Sequence, residues 1–144
     1  NDVVVFDPCD LVTEPTRTEN SYHVVTGSGT DDTAVLDGVT VRGGNANGDH
    51  LFAEGGGLYN ESGSPIVTHC LFIANSSIGG GGGVCNKSSS PRFSHCDFES
   101  NATDGSGGGM GNVDGSAPIL DHCTFTTNSA GPCGGAVENE LIDL

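Results

Sequence analysis

One block of sequence comes round three times in full. It reads GGGLYNESGSPIVTHCLFIANS from Gly55, GGGVCNKSSSPRFSHCDFESNA from Gly81 and GGGMGNVDGSAPILDHCTFTTNS from Gly107. A fourth start, GGAVEN, follows at Gly134. Asn60, Asn86, Asn112 and Asn139 stand 26, 26 and 27 residues apart, and Cys70, Cys96 and Cys123 keep the same spacing. So do Phe72, Phe98 and Phe125, and Asn75, Asn101 and Asn128. The one extra residue falls in the third copy, where VDGSA replaces KSSS. A degenerate earlier copy reads LDGVTVRGGNA, with Val39 and Val41 in the Cys and Phe places.

A period of this length fits a leucine-rich repeat or one coil of a β-solenoid. Leucine is scarce here, and each unit is cut by Gly, Ser, Asn and Pro. What remains are short β-prone runs at Leu58 to Asn60, Pro65 to Thr68 and Cys70 to Ile73. Three short strands and three turns per unit predict an all-β fold. We expect a right-handed single-stranded parallel β-helix of about four to five coils, with ~26 residues per coil. Composition agrees: 24 glycines suit corners, and a hydrophobic share of 34% suffices for a thin cylinder.

Two-residue alternation places Leu58, Val67, Cys70 and Phe72 inside. The matching rows are Val84, Phe93, Cys96 and Phe98, then Met110, Leu120, Cys123 and Phe125. Core ladders are therefore expected at Cys70, Cys96 and Cys123 and at Phe72, Phe98 and Phe125. His69, His95 and His122 form a turn ladder, each in a left-handed or bridging conformation. Residues 1–33 lack the repeat and read as an N-terminal cap over the first coil, with the solenoid at 34–144. Val3, Val4, Val5 and Phe6 read as a strand within that cap.

The coil pattern GGG-x-x-N…SP-x-x-x-x-C-x-F-x-x-N resembles the repeat of bacterial right-handed parallel β-helix surface proteins, such as polymorphic outer-membrane proteins. The leading segment SYHVVTGSGTDDTAVLDGVTVRGGNAN is similar to the same group. The resemblance covers about residues 21 to 139. It implies a surface, adhesive or structural role and brings no catalytic motif. The chain departs from the group's pattern in placing His before the Cys.

Charge excludes several partners. Four Lys and Arg against 19 Asp and Glu give −15, which argues against nucleic acid. No apolar run is long enough to cross a bilayer. No leader is visible before Asn1, so a processed chain or an excerpt is expected. Lyases on this fold need a cationic cleft, and Arg42, Lys87 and Arg92 are the only cations of the repeats. Paired carboxylates at hydrolase spacing are not apparent either. No enzyme activity is expected.

Several smaller signals were weighed. The His ladder presents parallel imidazoles, whereas metal sites draw ligands from different directions, so no metal is expected there. Cys9, Cys85 and Cys133 lie outside the buried row and leave one disulfide open. Asp31, Asp32, Asp37, Asp49 and Glu54 offer hard oxygen ligands for Ca²⁺ without a calcium-loop motif; otherwise no cofactor is expected. Asn60, Asn75, Asn86 and Asn101 each begin an N-x-S/T sequon and are candidate glycosylation sites, although as ladder rows at least one can point inward. The favoured function is an extracellular structural or adhesive protein of the cell surface, its subunits stacking head-to-tail into a filament. Val3 to Phe6 would dock on the open end of a neighbour. The alternative is a polysaccharide-binding or polysaccharide-cleaving module.

Overall fold

A computed structural model describes residues 7–131 and 134–140. Val3 to Phe6 and Cys133 lie outside the described residues. The chain winds as a parallel β-solenoid, each coil contributing one strand to each of four sheets. The first coil holds β1 (Val25–Thr26), β2 (Val35–Asp37), β3 (Thr40–Arg42) and β4 (Asn45–Ala46). The second holds β5 (Leu58–Glu61), β6 (Ile66–Thr68), β7 (Leu71–Ile73) and β8 (Ser76–Ser77). The third holds β9 (Val84–Lys87), β10 (Arg92–Ser94), β11 (Asp97–Glu99) and β12 (Ala102–Thr103). The fourth holds β13 (Met110–Val113), β14 (Ile119–Asp121), β15 (Thr124–Thr126) and β16 (Ser129–Ala130), and β17 (Val137–Asn139) opens a fifth.

Each coil thus has four strands where the sequence led us to expect three. The extra one is the two-residue strand after the corner asparagine, too short and too polar to read as β from composition. Register follows the repeat: Phe93 pairs with Val67 on one side and Leu120 on the other, and Phe98 pairs with Phe72 and Phe125 in the same way. The first coil is longer, since Val25 pairs with Leu58 and Leu36 with Val67. Part of the excess is a 3₁₀ turn at His50–Phe52.

The interior is a bundle of ladders. Phe72, Phe93 and Phe98 are fully buried, and Leu58, Val67, Val84, Cys96 and Met110 lie between them. The rings of Phe72 and Phe98 stack 5.1 Å apart at 5°, and those of Phe98 and Phe125 stack 4.4 Å apart at 4°. Each such side chain stabilises the fold by about 2 kcal/mol through burial alone. Phe125 and Cys123 are only half-buried, and Leu120, expected inside, is 38% exposed because among the described residues no strand lies beyond it.

The glycine triplets are needed by both geometry and space. Gly55, Gly81 and Gly107 hold φ of 66°, 61° and 72°. The next residue crosses the fourth sheet so closely that a Cβ on Gly82 would sit 2.2 Å from the Ala102 carbonyl oxygen.

Residues 7–20 do not cap the first coil as expected. They run along the flank of the fourth sheet, from Cys9 beside Ser129 of the fourth coil to Arg17 beside the first two. Arg17 is buried and donates to the carbonyls of Gly44 and Ala74 and to Ser76 Oγ. Asn45 donates back to the Arg17 carbonyl. Two-residue strands must turn one side chain outward, yet both residues of β4, β8 and β12 are buried. Residues 7–20, a strap across this flank, supply that burial on the outer side. Solenoid structure also begins earlier than expected, since β1 lies within residues 1–33.

Candidate functional site

The four flanks differ in what they offer. The strap covers the fourth sheet. Loops cover the first, where Glu54 bridges to Gly80 and Gly80 to Ser106. Beneath them the outward-facing Tyr59 and Cys85 are buried. The second and third sheets face solvent, with the histidine corner between them.

That corner is regular. His69, His95 and His122 take φ of 51°, 53° and 51°, and their rings stack at 5.1 Å and 5.0 Å. Asp37 sits 3.2 Å from His69 Nδ1, and Asp121 sits 2.6 Å from His122 Nδ1, so carboxylates bracket the stack. All of these groups are exposed. Among the described residues no three His, Cys, Asp or Glu side chains are arranged to hold a metal ion. The candidate calcium ligands are likewise dispersed. Asp31 is held below the ordinary carboxylate range by the hydroxyl and backbone N–H of Thr33. Asp37 meets His69, and Glu54 accepts from the Cys85 thiol at 3.7 Å.

A groove of about 310 Å³ on the first sheet is lined by Glu54, Cys85, Glu138 and Glu140 together with the glycines of the loops. Burial, and then the Glu54 charge, push the Cys85 thiol well above its usual value. Burial also pushes Tyr59 up, helped by the charge of Glu61. This groove joins like charges to a protonated thiol. Cys70 and Cys96 are buried, Cys96 being pushed up to about 12 by burial. The thiols of Cys70, Cys96 and Cys123 point at backbone carbonyls. Cys9, Cys70, Cys85, Cys96 and Cys123 are all free thiols.

The four sequons must be corrected. Asn60, Asn75, Asn86 and Asn101 are each 0% exposed, and their side-chain nitrogens are spent inside the solenoid. Asn60 donates to Asn86 at 3.0 Å, Asn86 to Asn112 at 2.8 Å and Asn112 to Asn139 at 2.9 Å. In the second ladder Asn75 donates to Asn101 and Asn101 to Asn128, both at 3.0 Å. Their second protons go to the carbonyls of Val41 and Phe72. A glycan on any of these nitrogens has no room in the folded chain. The sequence signal for the ladders was the recurrence of Asn at the full period, which the sequon reading obscured.

Both ladders run in one direction, each amide donating toward the C-terminal end. At the N-terminal end they stop on glycine. Gly44 N–H donates to Asn75 Oδ1 at 3.0 Å, while Gly27 leaves the buried Asn60 Oδ1 without a partner. At the other end Asn128 and Asn139 each accept from the coil before and meet no further rung among the described residues. The inward Leu120 is 38% exposed at this end. A cavity of about 540 Å³ opens there, lined in part by Pro118, Leu120, Val137 and Asn139. Among the described residues the last coil is therefore an apolar mouth rimmed by amides and by edges of β14, β15 and β17 with no further strand beyond them.

No protein-family model, curated protein or solved structure matches the chain. Its β-solenoid architecture rests on the strand pairing itself. No helix among the described residues is long and apolar enough to cross a membrane.

Proposed function

We propose that this chain is a non-catalytic structural or adhesive solenoid of the cell exterior that associates end to end. The observation that carries this reading is that β14, β15 and β17 have no further strand beyond them among the described residues, since an unpaired parallel edge over apolar rows is a template for further strands. Among the described residues no strand precedes the first coil either, and its second-sheet row matches that of the last. Val35, Leu36 and Asp37 occupy the rows that Ile119, Leu120 and Asp121 occupy three coils later. Head-to-tail stacking of copies is the simplest use of such ends and gives an open rod. The extracellular setting rests on the likeness of the repeat to bacterial surface proteins.

The alternative, a polysaccharide module, is less well supported by the flanks. Outward rows of the second and third sheets carry aliphatic, hydroxyl and charged side chains, and no Phe, Tyr or Trp on which a sugar ring could stack.

Sedimentation and electron microscopy across a concentration series test the proposal. The wild-type chain is expected to form end-to-end oligomers at high concentration, and Leu120→Lys to remain monomeric with its fold intact. A wild-type chain that stays monomeric throughout, or a Leu120→Lys chain that oligomerises equally, would sink it.

A further inference from the structure

The structure assigns Asn47 as a site of spontaneous covalent modification, at which the folded chain loses a side-chain amide to its own backbone. The only co-reactant is water. The Gly48 nitrogen attacks Asn47 Cγ and gives up its proton. As that bond forms, the Cγ–Nδ2 bond breaks, and ammonia leaves carrying the proton. Water then opens the cyclic imide at either carbonyl, which leaves aspartate or isoaspartate at position 47.

The reaction needs an unheld side-chain amide followed by an unhindered backbone nitrogen, and the eleven asparagines of the chain differ in both. Those of the two ladders are tied to neighbouring coils. Asn45 is buried, with its amide on the Arg17 carbonyl and its oxygen on Ser76 Oγ. Asn20 donates to the Gly43 carbonyl at 2.7 Å. Asn47, just past β4, is exposed, and its side chain meets no hydrogen-bond partner among the described residues. It is also the one asparagine of the sequence that precedes glycine.

Packing holds that glycine in place. A Cβ at position 48 would sit 2.7 Å from Phe52 Cβ and 3.0 Å from Tyr22 Cε1. No side chain therefore shields the nitrogen, and a larger residue does not fit without moving the Tyr22–Phe52 pair, whose rings lie 5.1 Å apart. The fold also sets the rate. Gly48 N–H donates to the Phe52 carbonyl at 3.0 Å, while Phe52 and Ala53 close the 3₁₀ turn onto the carbonyls of Asp49 and His50. The nitrogen reacts only when this turn opens. His50 holds a φ of 51° within it, a left-handed value that costs a non-glycine residue energy. Opening a short, exposed turn of this kind takes far less than opening a buried ladder corner. Either product adds a carboxylate close to Asp49. Isoaspartate also lengthens the main chain by one methylene directly after Ala46, whose carbonyl accepts from Ile78 N–H at 3.0 Å.

The folded chain is incubated in mildly alkaline buffer, digested with trypsin and mapped by fragmentation, Asn47 falling in the peptide 43–87. A gain of about one dalton is expected at Asn47, about tenfold or more faster than at any other asparagine. Asn47→Gln should abolish it. A synthetic peptide of residues 43–53 should convert faster than the folded chain. Phe52→Ala, with its fold checked by circular dichroism, should approach the rate of that peptide. A folded chain still unchanged when the free peptide has converted overturns the assignment, as does another asparagine that converts as fast as Asn47. A rate unmoved by Phe52→Ala overturns the gating by the turn.

Discussion

Asparagine carries more of this interior than its polarity would suggest. A buried amide is costly unless both its donors and its acceptor are met, and in a solenoid the coil above and the coil below can meet them. Asn101 illustrates the point, with Asn75 above it, Asn128 below it and the Phe72 carbonyl across the corner. Asn101→Ala strands the Asn75 N–H and that carbonyl, and is expected to cost about 3 kcal/mol in urea unfolding. Asn60→Ala should cost clearly less, because Asn60 Oδ1 has no partner to lose. Equal losses at the two positions would count against the ladder as the source of stability. The buried thiols make a second test. Cys96 is raised from 9.0 to about 12, so the folded state keeps its proton where the unfolded chain gives it up. The Cys96 contribution should therefore be fully present below about pH 9 and be lost between about pH 9 and 12. Thermal melts across that range should show the decline, with a shallower slope in Cys96→Ala.

Among the elements, the glycine-led turn and the strap show how the coil closes. The second glycine of each triplet passes within van der Waals distance of a fourth-sheet carbonyl, so the first and fourth sheets meet backbone to backbone. Gly82→Ala would press a methyl to 2.2 Å from the Ala102 oxygen. The expected cost is about 2 kcal/mol or more on top of any backbone term, seen as a lower urea midpoint, whereas Gly29→Ala, whose Cβ would enter open space, should lose only the about 1 kcal/mol of a left-handed alanine. Gly29 has φ of 69°, so that variant carries some backbone strain without a clash. The strap was not legible in the sequence. DPCDLVTEPTRTEN has no period, and nothing local in it says that Arg17 is buried against Gly44, Ala74 and Ser76. Those partners are distant in sequence and meet Arg17 only after the coils have stacked.

For the whole molecule, the two ends are not interchangeable. Side-chain amides point the same way along both ladders, so the solenoid has a polarity beyond that of its chain. Glycine closes the ladders at one end, and at the other Asn128 and Asn139 meet no further rung among the described residues. This is why the last coil, and not the histidine corner, carries the proposal of end-to-end association. The corner satisfies itself by stacking and by Asp37 and Asp121, whereas among the described residues the last coil keeps apolar rows, strand edges and amide donors without a following rung.

The sequence alone determined the period, the parallel stacking, and the inward rows of Cys, Phe and Val. Each of these follows from one coil's alternation repeated in register, which is local information. The tertiary structure decided that the asparagines turn inward, that residues 7–20 flank the fourth sheet, and that a two-residue fourth strand completes each coil. Those depend on which groups the neighbouring coil and the strap present at each corner. A repeat written in one dimension records what recurs, while burial is fixed by what lies across the gap from it.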